Sequence, residues 1–256
     1  MRWTKRLMEH DGRLTFQASA LKRVGRPSCI CLVAALGVFI PVLAQAPAAP
    51  SARFVVVLDA AHGGDDAGGR INTQGGDQAG HSEAEKALTL ALSVRLRSLL
   101  AARGIAVVTT RETDASVALD RRAEIANRAN AQACLSLHVS QSGSGIHLYA
   151  SSLPPAEPVR FAAWKTAQAA YVTRSIALAG VLNSALLHAG MTVTLGRTAL
   201  PAVDSMACPA VALEVAPEWG SNHTQTVTLD DPAYQARVAE AVAAALLQWR
   251  AEVHQP

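Results

Sequence analysis

The sequence predicts an α/β fold: a single three-layer domain with a mostly parallel sheet flanked by helices, preceded by a signal peptide. Three observations predict it. From residue 53 onward, short β-branched runs alternate with longer stretches of helical spacing. The strand-like runs are apolar at successive positions rather than at alternate ones, as expected of strands covered on both faces. The chain has 256 residues, 50% of them hydrophobic, which is enough for one substantial core, and it shows no internal repeat.

The leader comes first. Residues 1–46 hold seven Lys/Arg against two Asp/Glu, with Lys22, Arg23 and Arg26 closing the basic part. The uncharged run from Cys29 to Ala44 is 16 residues long, short of the ~18–20 that span a bilayer comfortably. Ala44-Gln45-Ala46 is a small-x-small cleavage signature, and Pro47-Ala48-Ala49-Pro50 reads as a linker. In that order these parts describe a secretory signal peptide cut after Ala46, a linker at 47–53 and a domain at 54–256. An uncleaved anchor and an early start codon are the competing readings. Export makes the mature protein periplasmic or extracellular, with no stable membrane span after cleavage.

Within the domain, Phe54 to Leu58 reads as a strand, and Leu88, Ala91, Leu92, Leu96 and Leu99 mark one face of a helix that stops near Gly104. Ile105 to Val108 is the next strand, Leu119 to Asn130 a helix, and Ala133 to Leu137 and Gly145 to Tyr149 two further strands. Helices at about Tyr171 to His188 and Tyr234 to Glu252 bracket the strand Ala210 to Val215. The stretch from Ser151 to Thr173 fits either a loop over the active face or a short capping helix.

Charge and cysteines narrow the function. Beyond residue 46 the chain carries 16 Lys/Arg against 18 Asp/Glu, and only 4% of the whole is aromatic. A slightly acidic body with few stacking groups excludes nucleic acid as a partner. Cys29 and Cys31 leave with the signal peptide. Cys134 and Cys208 have no C-x-x-C neighbour, so they are read as buried small apolar residues, with a mutual disulfide as the less favoured alternative.

In folds of this class, functional groups collect where strands end. His62 follows the first strand in Leu58-Asp59-Ala60-Ala61-His62-Gly63-Gly64, where paired glycines permit a tight turn. His138 ends Cys134-Leu135-Ser136-Leu137, Glu214 ends Pro209-Ala210-Val211-Ala212-Leu213, and Glu85 opens the Leu-rich helix. Two imidazoles and a carboxylate suit a catalytic Zn²⁺ with an open position, and a further carboxylate can serve as general base. Each residue also has a plainer use: His62 in a turn, His138 in the core, Glu85 at a helix N-terminus favoured by the dipole, and Glu214 in a salt bridge. Spacing alone leaves both uses open.

Several segments carry a resemblance in their order. They are Val56-Val57-Leu58-Asp59 with His62-Gly63-Gly64, Glu85-Lys86, Thr110-Arg111-Glu112-Thr113-Asp114, Ala126-Asn127-Arg128-Ala129-Asn130-Ala131, Leu135-Ser136-Leu137-His138 and Pro209 through Glu214. Together the chain resembles, over about residues 54 to 250, the zinc-dependent N-acetylmuramoyl-L-alanine amidases of the type 3 catalytic domain. The resemblance implies that His62, Glu85 and His138 bind Zn²⁺, that Glu214 is the catalytic glutamate, and that peptidoglycan is the substrate. The bond cut is the amide between the lactyl group of N-acetylmuramic acid and L-alanine. Some relatives insert an inhibitory helix between the second-histidine strand and the glutamate strand, so an activator protein is an implied partner, and residues 151–173 occupy that interval. Asp59 is either an orienting group for an imidazole or a turn residue, and Arg111 is structural.

The chain also departs from the family pattern. Ala60-Ala61 stands where the family has Pro-Gly, Val139-Ser140 follows His138, and Glu214-Val215-Ala216-Pro217-Glu218-Trp219 replaces a small-aromatic continuation. Two rival functions therefore stay open at this point: a zinc carboxypeptidase or aminopeptidase-like hydrolase, and a non-catalytic wall-binding or regulatory module.

Overall fold

The computed structural model describes residues 53–72, 82–159, 163–220 and 225–253. The expected signal peptide, its cleavage site and nearly all of the linker lie outside the described residues. Strand β1 (Val55–Ala60) leads through a loop to a hairpin of β2 (Arg70–Asn72) and β3 (Ser82–Ala84), and α1 (Glu85–Ala102) follows directly. Then come β4 (Ala106–Thr109), α2 (Leu119–Arg128), β5 (Ala133–Val139), β6 (Ile146–Ser151), a 3₁₀ segment (Trp164–Ala170) and α3 (Val172–His188). The chain closes with β7 (Val193–Thr198), α4 (Pro201–Asp204), β8 (Ala210–Val215), the hairpin strands β9 (Glu218–Trp219) and β10 (Gln225–Val227), and α5 (Pro232–Val253).

The six-stranded sheet has the order β4-β1-β5-β8-β6-β7. Strands β4, β1, β5 and β8 run parallel, β6 is antiparallel to β8, and β7 is parallel to β6. The expected mostly parallel, helix-flanked sheet is therefore what forms. Strand β7, which sequence reading did not find, is an edge strand of mixed composition, Val-Thr-Leu-Gly-Arg-Thr, with Leu195 exposed. A strand with one neighbour needs no continuous apolar run, so nothing in its residues announced it.

Side chains alternate across each strand, and in-register neighbours share a face. On one face Val56 and Leu58 of β1, Leu135, Leu137 and Val139 of β5, and Val211, Leu213 and Val215 of β8 join α1, α3 and α5 in the main core. Helix α1 contributes the stripe Leu88, Leu92, Leu96 and Leu100, at the spacing the sequence suggested. On the other face a smaller cluster joins Val57, Cys134 and Ala210 to Ala123 and Ala126 of α2, Val203 of α4, and Met206 and Cys208.

Cys134 and Cys208 are joined in a disulfide, with their Cα atoms 6.2 Å apart. This corrects the preferred reading of two unpaired apolar cysteines. The partners are separated by 74 positions, so only the pairing of β5 with β8, in which Cys134 stands opposite Ala210, brings them together. The 3₁₀ segment is tied down from beneath. Buried Gln168 donates through Nε2 to the carbonyls of Val203, Met206 and Cys208, and its Oε1 accepts from Ser175.

Candidate metal centre

The centre lies at the carboxyl edge of β1 and β5, closed from the opposite side by the first residue of α1. His62 has φ +61°, a left-handed conformation that non-glycine residues adopt at a cost of about 1 kcal/mol or more. A dense set of hydrogen bonds holds it there. Arg122, 4% exposed, donates Nη2 to the His62 carbonyl, Nη1 to Asp59 and the Ala60 carbonyl, and Nε to the Val117 carbonyl. Gly63 follows at φ +128°, where a Cβ would lie 2.3 Å from the Ala115 carbonyl oxygen, so only glycine fits the turn.

The motif Thr110 to Asp114 staples the same loop. Thr110 donates to Asp59, and Asp114 accepts from Gly64 N and from Lys86. Arg111 donates to the carbonyls of Ala60, Ala61, Lys86 and Thr113, a structural use as expected.

Glu85 stands in the first turn of α1, directly after the β2–β3 hairpin. Its Oε2 lies 3.1 Å from His62 Nε2, and its Oε1 lies 3.2 Å from His138 Nδ1. Burial pulls the Glu85 carboxyl upward, but hydrogen bonds from His138 and from the backbone N–H groups of Gly69 and Val139 outweigh it and hold the group below its ordinary value. Gly68, at φ +66°, keeps the space open, since a Cβ there would come within 2.7 Å of both Glu85 Oε2 and the His62 ring. One ligand atom from each of His62, Glu85 and His138 lies within 4.8 Å of the other two. Two imidazole nitrogens and a carboxylate at that spacing form a donor set that fits a borderline divalent ion.

Glu214 is not part of that cluster. It stands one strand over, in register with His138 on β5 and with His147 on β6, on the same face of the sheet. It is half-buried, and among the described residues its carboxylate makes no hydrogen bond or ion pair, so it is not the salt-bridge partner that the plainer reading allowed.

Sequence reasoning missed three residues at the site. Asp66 accepts from His62 Nδ1 at 2.9 Å. Ser136 donates Oγ–H to Asp59 at 2.9 Å and lies 3.3 Å from His138 Nε2. Arg122 holds Asp59 as a buried ion pair at 2.7 Å. Ser136 was legible in principle, because a residue two before His138 on a strand shares its face. Asp66 and Arg122 carried no such signal. Asp59 therefore reaches an imidazole, but through Ser136.

Beside the centre is a cleft of about 420 Å³. Asp59, His62, Ser136 and His138 form its polar floor, and Val117, Leu119, Leu200, Pro201 and Val203 form its apolar wall. None of the described residues between 151 and 173 lines it. Gln168, within that segment, braces the wall from behind.

A model of the N-acetylmuramoyl-L-alanine amidase family matches residues 56–248. The chain belongs to this family. The match takes in every element from β1 into α5. Among solved structures, the catalytic domain of CwlV, an N-acetylmuramoyl-L-alanine amidase from Bacillus (Paenibacillus) polymyxa var. colistinus, is 26% identical at a TM-score of 0.59, over 77% of this chain and 98% of that one. AmiC2 of Nostoc punctiforme is 24% identical at a TM-score of 0.56, over 78% and 99%. The CwlD amidase of Clostridioides difficile, solved in complex with the GerS lipoprotein, is 19% identical at a TM-score of 0.56, over 78% and 100%. No curated protein sequence matches the chain. The chain is a peptidoglycan amidase, which sets aside the peptidase and the non-catalytic module.

Proposed function

We propose that the amidase works with Zn²⁺ held by His62, Glu85 and His138, with Glu214 as the general base and acid. The observation that carries this is the convergence of three ligand atoms from β1, α1 and β5, with an unengaged carboxylate in register on the adjoining strand. His62, Glu85 and His138 would hold the ion, which when bound would supply Lewis-acid polarisation of the amide carbonyl and acidify a water. Glu214 would take the proton of the attacking water and return it to the departing alanine nitrogen.

The remaining residues set the two rings. With an ion in place His138 Nδ1 would give up the proton it shares with Glu85; the Ser136 hydroxyl, whose one proton goes to Asp59, would then accept from His138 Nε2–H and leave Nδ1 as the lone pair. The Asp66 carboxylate only accepts, so it holds the His62 proton on Nδ1 and leaves Nε2 facing Glu85. The two histidines thus offer opposite nitrogens to one point.

Residues 1–46 direct export in this reading, with cleavage after Ala46 and a periplasmic or extracellular product. The Cys134–Cys208 disulfide agrees with an oxidising compartment. No single helix among the described residues is long and apolar enough to cross a membrane. Recruitment by a partner protein, as the CwlD amidase was solved in complex with the GerS lipoprotein, belongs to the same proposal.

The test is digestion of purified peptidoglycan, with products read by mass spectrometry. Stem peptides beginning at L-alanine are expected from the untreated protein, a loss of product with chelator that Zn²⁺ restores, and a fall of about 10²–10⁴-fold in Glu214→Gln. Release that persists under chelation overturns the metal assignment, and an active Glu214→Gln overturns the base.

A further inference from the structure

Trp219 is the second residue of β9, five positions after Glu214, and it is 41% exposed although tryptophans are on average well buried. Its polar groups are already engaged. The backbone N–H donates to Ser144 Oγ at 3.3 Å and the indole Nε1–H to the Gly143 carbonyl at 3.0 Å. The polar edge of the ring is therefore pinned to the loop 140–145 while much of the residue stays open to solvent.

The support beneath it is firm. Ala216 N donates to Gly145 O at 2.8 Å and Gly145 N to Pro217 O at 3.1 Å. Tyr234 Oη donates to Ala216 O at 2.8 Å, and Arg237 pairs with Glu218 at 3.4 Å. The loop that holds the indole leaves β5 immediately after His138 and Val139, and Trp219 follows Glu214 by five positions, so loop and ring leave the same edge of the sheet that carries the metal centre.

The chemistry of that rim is specific. Ser140-Gln141-Ser142-Gly143-Ser144-Gly145 contains hydroxyls and an amide but no charge, and Ser140 Oγ and Ser142 Oγ lie 2.8 Å apart. A held aromatic face is electron-rich and attracts weakly positive C–H groups, such as those on one face of a pyranose. Small neutral hydroxyls beside it suit sugar hydroxyl and acetamido groups, whereas nothing in the loop would pair with the charged ends of a stem peptide. Among the described residues the other exposed tryptophan, Trp164, has a different setting, with Lys165 Nζ 5.6 Å from its ring centroid and Asp120, Glu124 and Arg128 lining the same groove.

We propose that Trp219 and the loop 140–145 form a glycan platform, on which a sugar of the peptidoglycan strand stacks beside the muramoyl residue being cut. The proposal rests on the amidase reading for its substrate. A rigid, pre-oriented ring loses little freedom on binding, so its contact counts nearly in full.

The test uses peptide-free glycan strands of alternating N-acetylglucosamine and N-acetylmuramic acid, with binding to the purified protein measured by calorimetry. Such strands have no amide to cut, so binding is read independently of hydrolysis. Trp219→Ala is expected to weaken binding about tenfold, Trp219→Phe to recover most of the loss, and Trp164→Ala to bind like the parent. KM for intact peptidoglycan is expected to rise in Trp219→Ala relative to KM for a muramoyl-dipeptide, by a similar factor. If the alanine variant melts, Trp219→Leu against Trp219→Phe carries the same contrast. Parent-like binding by the alanine or leucine variant, equal KM changes on both substrates, or no binding by the parent protein would each overturn the platform. Continued release of stem peptides in those cases would show that the amidase reading stands and that only the platform has failed.

Discussion

On the face covered by α1, α3 and α5, strand β5 presents Leu135, Leu137 and Val139; on the face covered by α2 and α4 the same strand presents Cys134, Ser136 and His138. Strand β8 divides likewise, with Val211, Leu213 and Val215 on one side and Ala210, Ala212 and Glu214 on the other. The difference is one of volume before it is one of polarity. Large aliphatic side chains fill the first face. Small ones on the second leave the space that the cleft, the Asp59–Arg122 pair and the Ser136 hydroxyl occupy. The thin face then compensates with directed bonds: the disulfide, Gln168 beneath the 203–208 loop, and Asn127, which accepts from Ala207 N at 2.6 Å and donates to Ser205 O at 3.1 Å. One face supplies stability by area, and the other holds a site by geometry.

This contrast makes its own predictions. Asp59→Ala leaves Arg122 buried without its carboxylate and removes the acceptor for Ser136 and Thr110. It is expected to cost about 3–5 kcal/mol and to weaken metal retention as well, read by denaturant melts and chelator competition. Leu135→Ala, on the aliphatic face, is expected to cost about 2–5 kcal/mol and to leave metal affinity unchanged. Coupled losses in both variants would erase the distinction between the faces. Reducing the disulfide closes no cavity but frees a long loop, and a loss of about 2–4 kcal/mol is expected from melts with and without reductant. Ser136→Ala sharpens the comparison most finely. Removing one hydroxyl from a small-residue face is expected to lower metal affinity about tenfold, with a melting temperature near that of the parent, and ¹⁵N chemical shifts of His138 should report loss of the single tautomer.

Much of the fold was legible because it is repetitive. Strand Ala210–Val215 and the helix from about residue 171 to His188 follow the apolar pattern to within a residue, since continuous burial writes itself into successive positions. The site was legible where a polar residue ended an apolar strand, as at His138 and Glu214. It was not legible at Asp66, which sits in a loop with no period, nor at Arg122, whose helix position looks like that of any solvated arginine. Strand β7 and the antiparallel turn of β6 were missed because edge and direction depend on neighbours rather than on composition.

By itself the sequence determined the α/β alternation and set His62, His138 and Glu214 at or just beyond strand ends and Glu85 at a helix start, because burial periodicity and donor chemistry are properties of individual side chains and their immediate order. Only the tertiary structure decided that Cys134 meets Cys208 across 74 positions, that Asp59 acts through Ser136, and that Glu214 stands beside the cluster rather than within it. Those relations depend on which strands pair and in what register, and pairing is settled by the packing of the whole sheet.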